Sequence, residues 1–302
     1  SLEGSYAVLA IDRNERKIVA ARKGSPLVLG VSDDGYFVAS DIPAFIEYTK
    51  KVIYMHDSDV AVLGDKEVKI FNIMKNHDVP IKIDTVDWDI TQAEKGEFDH
   101  FMLKEISEQV ETVQKAVQQD KKIIDDVIHN IKNAHGIFLI GSGTSYHACL
   151  ATSYILSKMN KLHVNVALAS EFSNYEHFLT SKTLVIAVSQ SGETADVLEA
   201  VKVAKSKNCK IISIVNVVGS SLSRTSDSFL NLNAGPEICV LATKSYTSQL
   251  ALFMLLSYAL AGKYEEGKEK LNYLWNEIYH LTSVTSREKI KELAEKLVDN
   301  QH

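Results

Sequence analysis

From Gly136 to Gly262 the sequence alternates short apolar runs with helix-compatible stretches, and no other feature restricts the fold as strongly. GIFLIG precedes TSYHACLATSYILSKM, HVNVALA precedes SNYEHFL, TLVIAVS precedes ETADVLEAVKVAKSKN, and SFLNLNAG precedes TKSYTSQLALFMLLSYALAG. Between them KIISIVN leads into the polar VVGSSLSRTSD. Strands this continuously apolar must be covered on both faces, which predicts a parallel sheet of the doubly wound α/β class with helices on both sides.

The flanking regions read differently. Up to about Ile73 the chain is β-rich, with YAVLAID, KIVAARK, PLVLGV, YFVAS, KVIYMH and DVAVLG as strands separated by turn residues. Only DIPAFIEYTKK, opened by Asp41, reads as a helix there. Residues 74–100 are polar and weakly patterned and read as a linker. From Phe101 the spacing of Met102, Ile106, Val110, Val113 and Val117 predicts an amphipathic helix, with a second in KKIIDDVIHNIKNA. The final stretch from Tyr264 is charged and helical.

A net charge of −6 with basic residues scattered among acids excludes a nucleic-acid footprint. No apolar run is long enough to span a membrane. The three cysteines are widely spaced in apolar surroundings and read as reduced core residues, and the ten histidines show no metal-ligand spacing. No metal and no cofactor is expected, and the chain reads as cytoplasmic. It opens on a strand without an initiator Met, as a fragment of a longer polypeptide would.

Ligands of open α/β sheets bind beyond the carboxyl ends of the strands, and two strand ends here are rich in hydroxyls and glycine. In GSGTSY, Gly141 and Gly143 permit a tight turn, after which Thr144 and Ser145 open a helix. Taken alone, that loop reads better as a helix cap. A dinucleotide fingerprint fits poorly, since Tyr146 replaces the third glycine, and a Walker-type Gly-Lys-Ser/Thr is absent. In SQSGET, Ser189, Gln190, Ser191 and Thr194 surround Gly192, where one hydroxyl would suffice for capping. The surplus points to neutral donors converging on a phosphate without Lys or Arg, an arrangement suited to a phosphate that must later leave. Glu193 reads as a capping or dipole residue at its helix start.

GSGTSYHA, SQSGETADVLEA and NAGPEICVLATKSYTSQ, in that order, resemble the first sugar isomerase (SIS) domain of the glutamine–fructose-6-phosphate aminotransferase (isomerising) family, the glucosamine-6-phosphate synthases. FDHFMLKEISEQ, ASEF and NVVGSSLSRTSD agree, and upstream GSYAVLAID, ARKGSPLVLGV and ASDIPAF resemble the end of that family's class II, Ntn-type glutaminase domain. The resemblance implies residues 1–73 as glutaminase, 74–100 as linker, 101–263 as the first SIS domain, and 264–302 as a segment leading toward a second. It implies that Ser145, Ser189, Gln190, Ser191 and Thr194 bind the phosphate, with Gly143 and Thr144 beside them, and that the Val240 backbone contacts sugar hydroxyls. Ser142 stands where the bacterial pattern has Cys, and Ala242 where it has Ser, which puts one sugar contact in doubt.

The implied ligands are fructose 6-phosphate and glucosamine 6-phosphate, with glutamine handled elsewhere. The implied assembly is a homodimer, for which the Gln249–Gly262 helix offers a partner surface. The family's glutaminase nucleophile and isomerase base lie outside these residues, so no catalytic residue is identified and binding without catalysis is expected. Two alternatives remain open. One is a phosphosugar-sensing SIS module. The other is a lone isomerase, for which only His147 is near and packing explains it better.

Overall fold

The computed structural model describes residues 2–12, 14–65, 67–86 and 95–300. The N-terminal part forms two antiparallel sheets. β1 (Tyr6–Asp12), β2 (Lys17–Lys23), β6 (Asp59–Leu63), β7 (Val68–Asn72) and β8 (His77–Asp78) lie in the order β1-β2-β6-β7-β8. β3 (Val28–Val31), β4 (Tyr36–Ala39), β5 (Lys51–Tyr54) and β9 (Asp84–Thr85) lie in the order β4-β3-β5-β9. Alternation along the strands gives the second sheet two apolar faces. Leu29 and Ile53 pack with Ala20, Ala61, Leu63 and Ile70 of the first sheet, while Val28 and Val52 pack with Ile42, Phe45 and Ile46.

Two sequence readings are corrected here. Asp41 does cap, accepting the Ile42 amide at 2.8 Å, but the element it opens is one 3₁₀ turn over Ile42–Ala44 rather than an α-helix. Packing overrides propensity at this point, because Phe45 lies so close against Gly30 that a Cβ there would sit 2.8 Å from its ring. Part of the stretch read as linker also pairs back, Asp78 opposite Phe71 and Thr85 opposite Lys51, so the β-rich unit extends at least to Thr85. The rest of that linker includes residues 87–94, which lie outside the described residues.

The second unit is the expected parallel sheet. β10 (Gly136–Gly141), β11 (Asn165–Leu168), β12 (Thr183–Ser189), β13 (Lys210–Val215) and β14 (Ser228–Asn231) pair in the order β11-β10-β12-β13-β14, all parallel. Every residue of β12 is buried, which accounts for its unbroken apolar run. Leu184, Ile186 and Val188 face α1 (Phe101–Ala116), α2 (Lys121–Asn133), α3 (Thr144–Asn160) and α6 (Lys244–Leu260). Val185 and Ala187 face α4 (Ala195–Ser206), the short α5 (Ser221–Thr225) and a 3₁₀ segment over Ala169–Phe178. Each such buried aliphatic side chain contributes about 1.5–3 kcal/mol relative to exposure.

α6 is core. Ala251, Leu252, Phe253, Leu255 and Leu256 are all buried among the neighbouring helices and the sheet, so the surface expected to meet a partner is already occupied within the chain. Exposed apolar side chains lie instead on α7 (Tyr264–Leu281) and α8 (Val284–Leu297), among them Tyr273, Tyr279, Ile290 and Leu293. α1 also departs from its periodicity: Met102 is exposed, while Lys104 and Glu105 are buried in polar contacts described below. No helix among the described residues is long and apolar enough to cross a membrane.

The two units meet at Tyr54. Its hydroxyl donates to the Val218 carbonyl at 3.1 Å, the Arg224 guanidinium lies 5.0 Å from its ring centroid, and Val217 joins the apolar cluster of the second sheet. Gly219 is required there, since a Cβ would stand 2.9 Å from the Tyr54 ring and its φ is +84°. Burial pushes the Tyr54 phenol from 10.0 up to about 12, against the opposing pull of Arg224. The unfolded chain therefore ionises first, so the stability Tyr54 contributes is intact below about pH 10 and lost between about pH 10 and 12. Chemical denaturation across that range should show a steeper loss in the wild type than in Tyr54→Phe. Parallel curves would place the phenol in water.

Candidate functional site

The strand order fixes the site. β11 lies on one side of β10 and β12 on the other, so the chain leaves these neighbours in opposite directions and a crevice opens beyond their carboxyl ends. Gly136 pairs with Thr183 and Ile140 with Ala187, which brings the loop after Gly141 beside the loop after Ser189. Both hydroxyl-rich stretches thus enter one crevice and open helices, α3 and α4, that pack on opposite faces of the sheet.

In the first loop Gly143 takes φ +56° and is the N-cap of α3, with no side-chain hydrogen bond to the helix. Neither Thr144 nor Ser145 caps it. A Cβ on Gly141 would stand 2.9 Å from the Ser145 carbonyl carbon, so glycine is what lets strand and helix meet this closely. Thr144 is exposed, whereas Ser145 is buried and its Oγ accepts from Gln249 Nε2 at 3.0 Å. Gln249 was missed by the sequence reading, and only its spacing within α6 could have suggested an inward side chain. It is 1% exposed and its Oε1 has no partner.

The second loop is held from within. Ser189 Oγ accepts the Gly192 amide at 3.0 Å and lies 2.9 Å from Thr194 Oγ1, while Ser191 Oγ accepts the Glu193 amide at 3.1 Å. The Gln190 carbonyl accepts the Asn216 amide and the Gly192 carbonyl the Leu222 amide, both at 3.0 Å. Gly192 has φ +67°, and a Cβ on it would fall 2.0 Å from Ser220 Oγ. Thr194 is the N-cap of α4 yet makes no capping hydrogen bond, so neither helix start has its first amides taken by a cap side chain.

Glu193 departs from its expected role. Its Oε1 accepts the Ser221 amide at 2.7 Å, serving the start of α5 rather than its own helix. Its Oε2 lies 3.9 Å from Arg22 Nη1 of the β-rich unit. A cation missed in the sequence therefore stands within ion-pair distance of this loop, where none was expected. A cavity of ≈ 280 Å³ at this contact is lined by Arg22, Asp41, Tyr54, Ser191, Glu193 and Thr194 among others, but not by Ser145, Ser189 or Gln190.

Val240 is joined to neither loop by a described hydrogen bond, and its side chain is 99% exposed. Its segment is nonetheless fixed. Glu105 Oε1, on α1, accepts the amides of Ile238 and Cys239 at 2.6 and 3.0 Å. Burial pushes the Glu105 carboxyl up, and these two amides pull it back. Glu237 accepts the amides of Thr243 and Ser245 at 2.9 and 3.1 Å, and the Ser245 hydroxyl as well. Buried Lys244 pairs with Glu108 at 2.6 Å, and Lys104 lies 3.5 Å from the same carboxylate. None of these carboxylates was singled out in the sequence, because each reads as part of a solvated helix or loop.

Comparison with known proteins bears on the family and the fold. A model of the SIS domain matches residues 130–259. Glutamine–fructose-6-phosphate aminotransferase [isomerizing] of Thermococcus kodakarensis is 39% identical over 99% of this chain and 51% of its own length. The protein of that name from Sulfurisphaera tokodaii is 41% identical over 85% of this chain and 44% of its length. The solved C-terminal domain of glucosamine-fructose-6-phosphate aminotransferase from Francisella tularensis superposes with a TM-score of 0.57 at 29% identity, covering 69% of this chain and 62% of that one. The chain spans about half the length of the curated relatives it matches. It belongs to the glutamine–fructose-6-phosphate aminotransferase family and carries that family's SIS domain.

Proposed function

We propose that this chain binds fructose 6-phosphate in the crevice between β10 and β12, as the sugar-phosphate-binding part of an enzyme that converts fructose 6-phosphate and glutamine into glucosamine 6-phosphate and glutamate. The observation that carries this reading is the meeting, at the reversal of strand order, of two hydroxyl-rich loops that each open a helix without a side-chain cap. Free first-turn amides and the positive ends of two helix dipoles attract a dianion, and hydroxyls complete its coordination. In this reading Ser189, Gln190, Ser191 and Thr194 hold the phosphate from one side, with Gly143, Thr144 and Ser145 on the other. The backbone at Val240 meets the sugar hydroxyls. The residues bind and orient the substrate, and no acid–base step is assigned to them.

The same reading takes the β-rich unit, through at least Thr85, as the end of a glutaminase domain, with a linker before residue 101, 101–263 as a first SIS domain and 264–302 as the approach to a second. It implies a cytoplasmic homodimer, with the exposed apolar side chains of α7 and α8 as candidates for the contact. Similarity to the aminotransferases along the β-rich unit as well as the SIS domain favours this over a phosphosugar sensor.

Calorimetric titration tests the site. Ser191→Ala with Thr194→Ala should weaken fructose 6-phosphate binding by about a hundredfold or more, since each lost hydrogen bond to a charged group is worth about 1.5–3 kcal/mol. Unchanged affinity would remove the phosphate from this loop, and binding of NAD would restore the nucleotide reading. Glu105→Ala strands the part-buried Ile238 and Cys239 amides. It should lower sugar-phosphate affinity while leaving affinity for inorganic phosphate within about twofold, and speed hydrogen exchange at those two amides. Equal losses for both ligands would show that the Val240 segment does not read the sugar.

A further inference from the structure

We propose that Arg22 is an electrostatic positioning residue for the loop Ser189–Thr194. From across the interface it cancels the charge of Glu193, so that anion affinity at this loop depends on docking of the β-rich unit. This rests on the reading of that loop as a phosphate site.

Glu193 poses the problem. It places a carboxylate within the loop, one residue from Thr194 and two from Ser191, where like charge opposes a phosphate. The carboxylate cannot simply be dispensed with, because its Oε1 holds the Ser221 amide at 2.7 Å. Its Oε2 is buried and makes no hydrogen bond. Arg22, whose side chain is 4% exposed and whose Nη1 lies 3.9 Å from that oxygen, supplies its nearest compensating charge, with Arg224 acting on Glu193 from beyond ion-pair distance. Arg22 is oriented by the Met55 carbonyl at 3.0 Å, the Gly24 carbonyl at 3.3 Å and Asp57 Oδ1 at 3.2 Å, while its buried Nε has no partner.

Asp57 would cancel part of that positive charge; Lys202 of α4 lies 3.7 Å from its other oxygen and 3.2 Å from Glu199, so it relieves Asp57 in part. The charges therefore alternate along Glu193, Arg22, Asp57 and Lys202. Both ends of this row belong to the loop-and-helix element that starts at the phosphate loop, and both middle members belong to the β-rich unit. Lys202 is half exposed and screened by solvent, so the buried Arg22–Glu193 contact dominates. Arg22 lines one cavity with Ser191, Glu193 and Thr194, and in this reading it acts on Glu193 and does not replace the neutral donors. Linkage makes the effect reciprocal: whatever docking adds to phosphosugar affinity, the phosphosugar adds to docking.

A double-mutant cycle on the full chain, read by calorimetry with fructose 6-phosphate and with inorganic phosphate, tests this. Arg22→Gln should weaken both ligands by about tenfold, and Arg22→Lys by no more than about threefold, because the charge is kept. Glu193→Gln should bind as tightly as the wild type or tighter, and Arg22→Gln with Glu193→Gln should return to within about threefold of it. A double variant as weak as Arg22→Gln, or Arg22→Gln with unchanged affinity, overturns the proposal. If thermal melting shows that Arg22→Gln does not fold, Glu193→Gln decides alone, weaker binding being the overturning result. A wild type that binds neither ligand sinks the phosphate-site reading together with this one, whereas a wild type that binds with additive losses sinks this one only.

Discussion

Direct parallel pairing of β10 with β12 places every other part of the site. The next strand in sequence after β10 lies on its far side, so α3 must return over one face of the sheet and α4 over the other. Their N-termini diverge from a shared crevice, and the register of Ile140 with Ala187 brings both glycine-bearing loops to its mouth together. Had another strand separated β10 and β12, the two hydroxyl clusters would stand about 10 Å apart, since neighbouring strands are spaced by roughly 4.8 Å. They would then stand too far apart to face one crevice.

Around that crevice the structure repeatedly uses a carboxylate from one element to gather backbone amides of another. Glu105 holds Ile238 and Cys239, Glu237 holds Thr243 and Ser245, and Glu193 holds Ser221. Amides at the turns and helix starts of a loop need acceptors, and a charged acceptor gives shorter and stronger bonds than a neutral one. The loops are therefore ordered before any ligand arrives, and less ordering entropy is left for the ligand to offset. The cost is negative charge buried close to a place suited to an anion.

The parallel sheet was legible because burial on both faces leaves an apolar run that no other arrangement tolerates, as in Leu184–Val188. The paired loops were legible from their surplus of hydroxyls and their glycines. Local pattern failed where tertiary contacts outweighed it. Residues 41–50 give up a helix to seat Phe45 and Ile46, and α1 turns Lys104 and Glu105 inward although its periodicity points to Met102. Gln249 and Arg22 were invisible for a plainer reason. Each acts on a loop more than a hundred residues away, and nothing in a one-dimensional pattern records such a contact.

In the proposed site Arg22 acts on the loop through Glu193 rather than as a donor to the ligand, and that matters for the chemistry. A guanidinium within the crevice would bind a phosphate bidentately and slow its departure. Paired with Glu193, under the proposal it offsets a carboxylate that the loop needs for its own structure and leaves the ligand to neutral hydroxyls and amides. Affinity then comes from geometry that strand pairing already fixes, and release requires only that neutral hydrogen bonds exchange with water. The cost of this arrangement is dependence on a second unit, since the cation reaches Glu193 only while Tyr54 and Val217 keep the β-rich sheets docked.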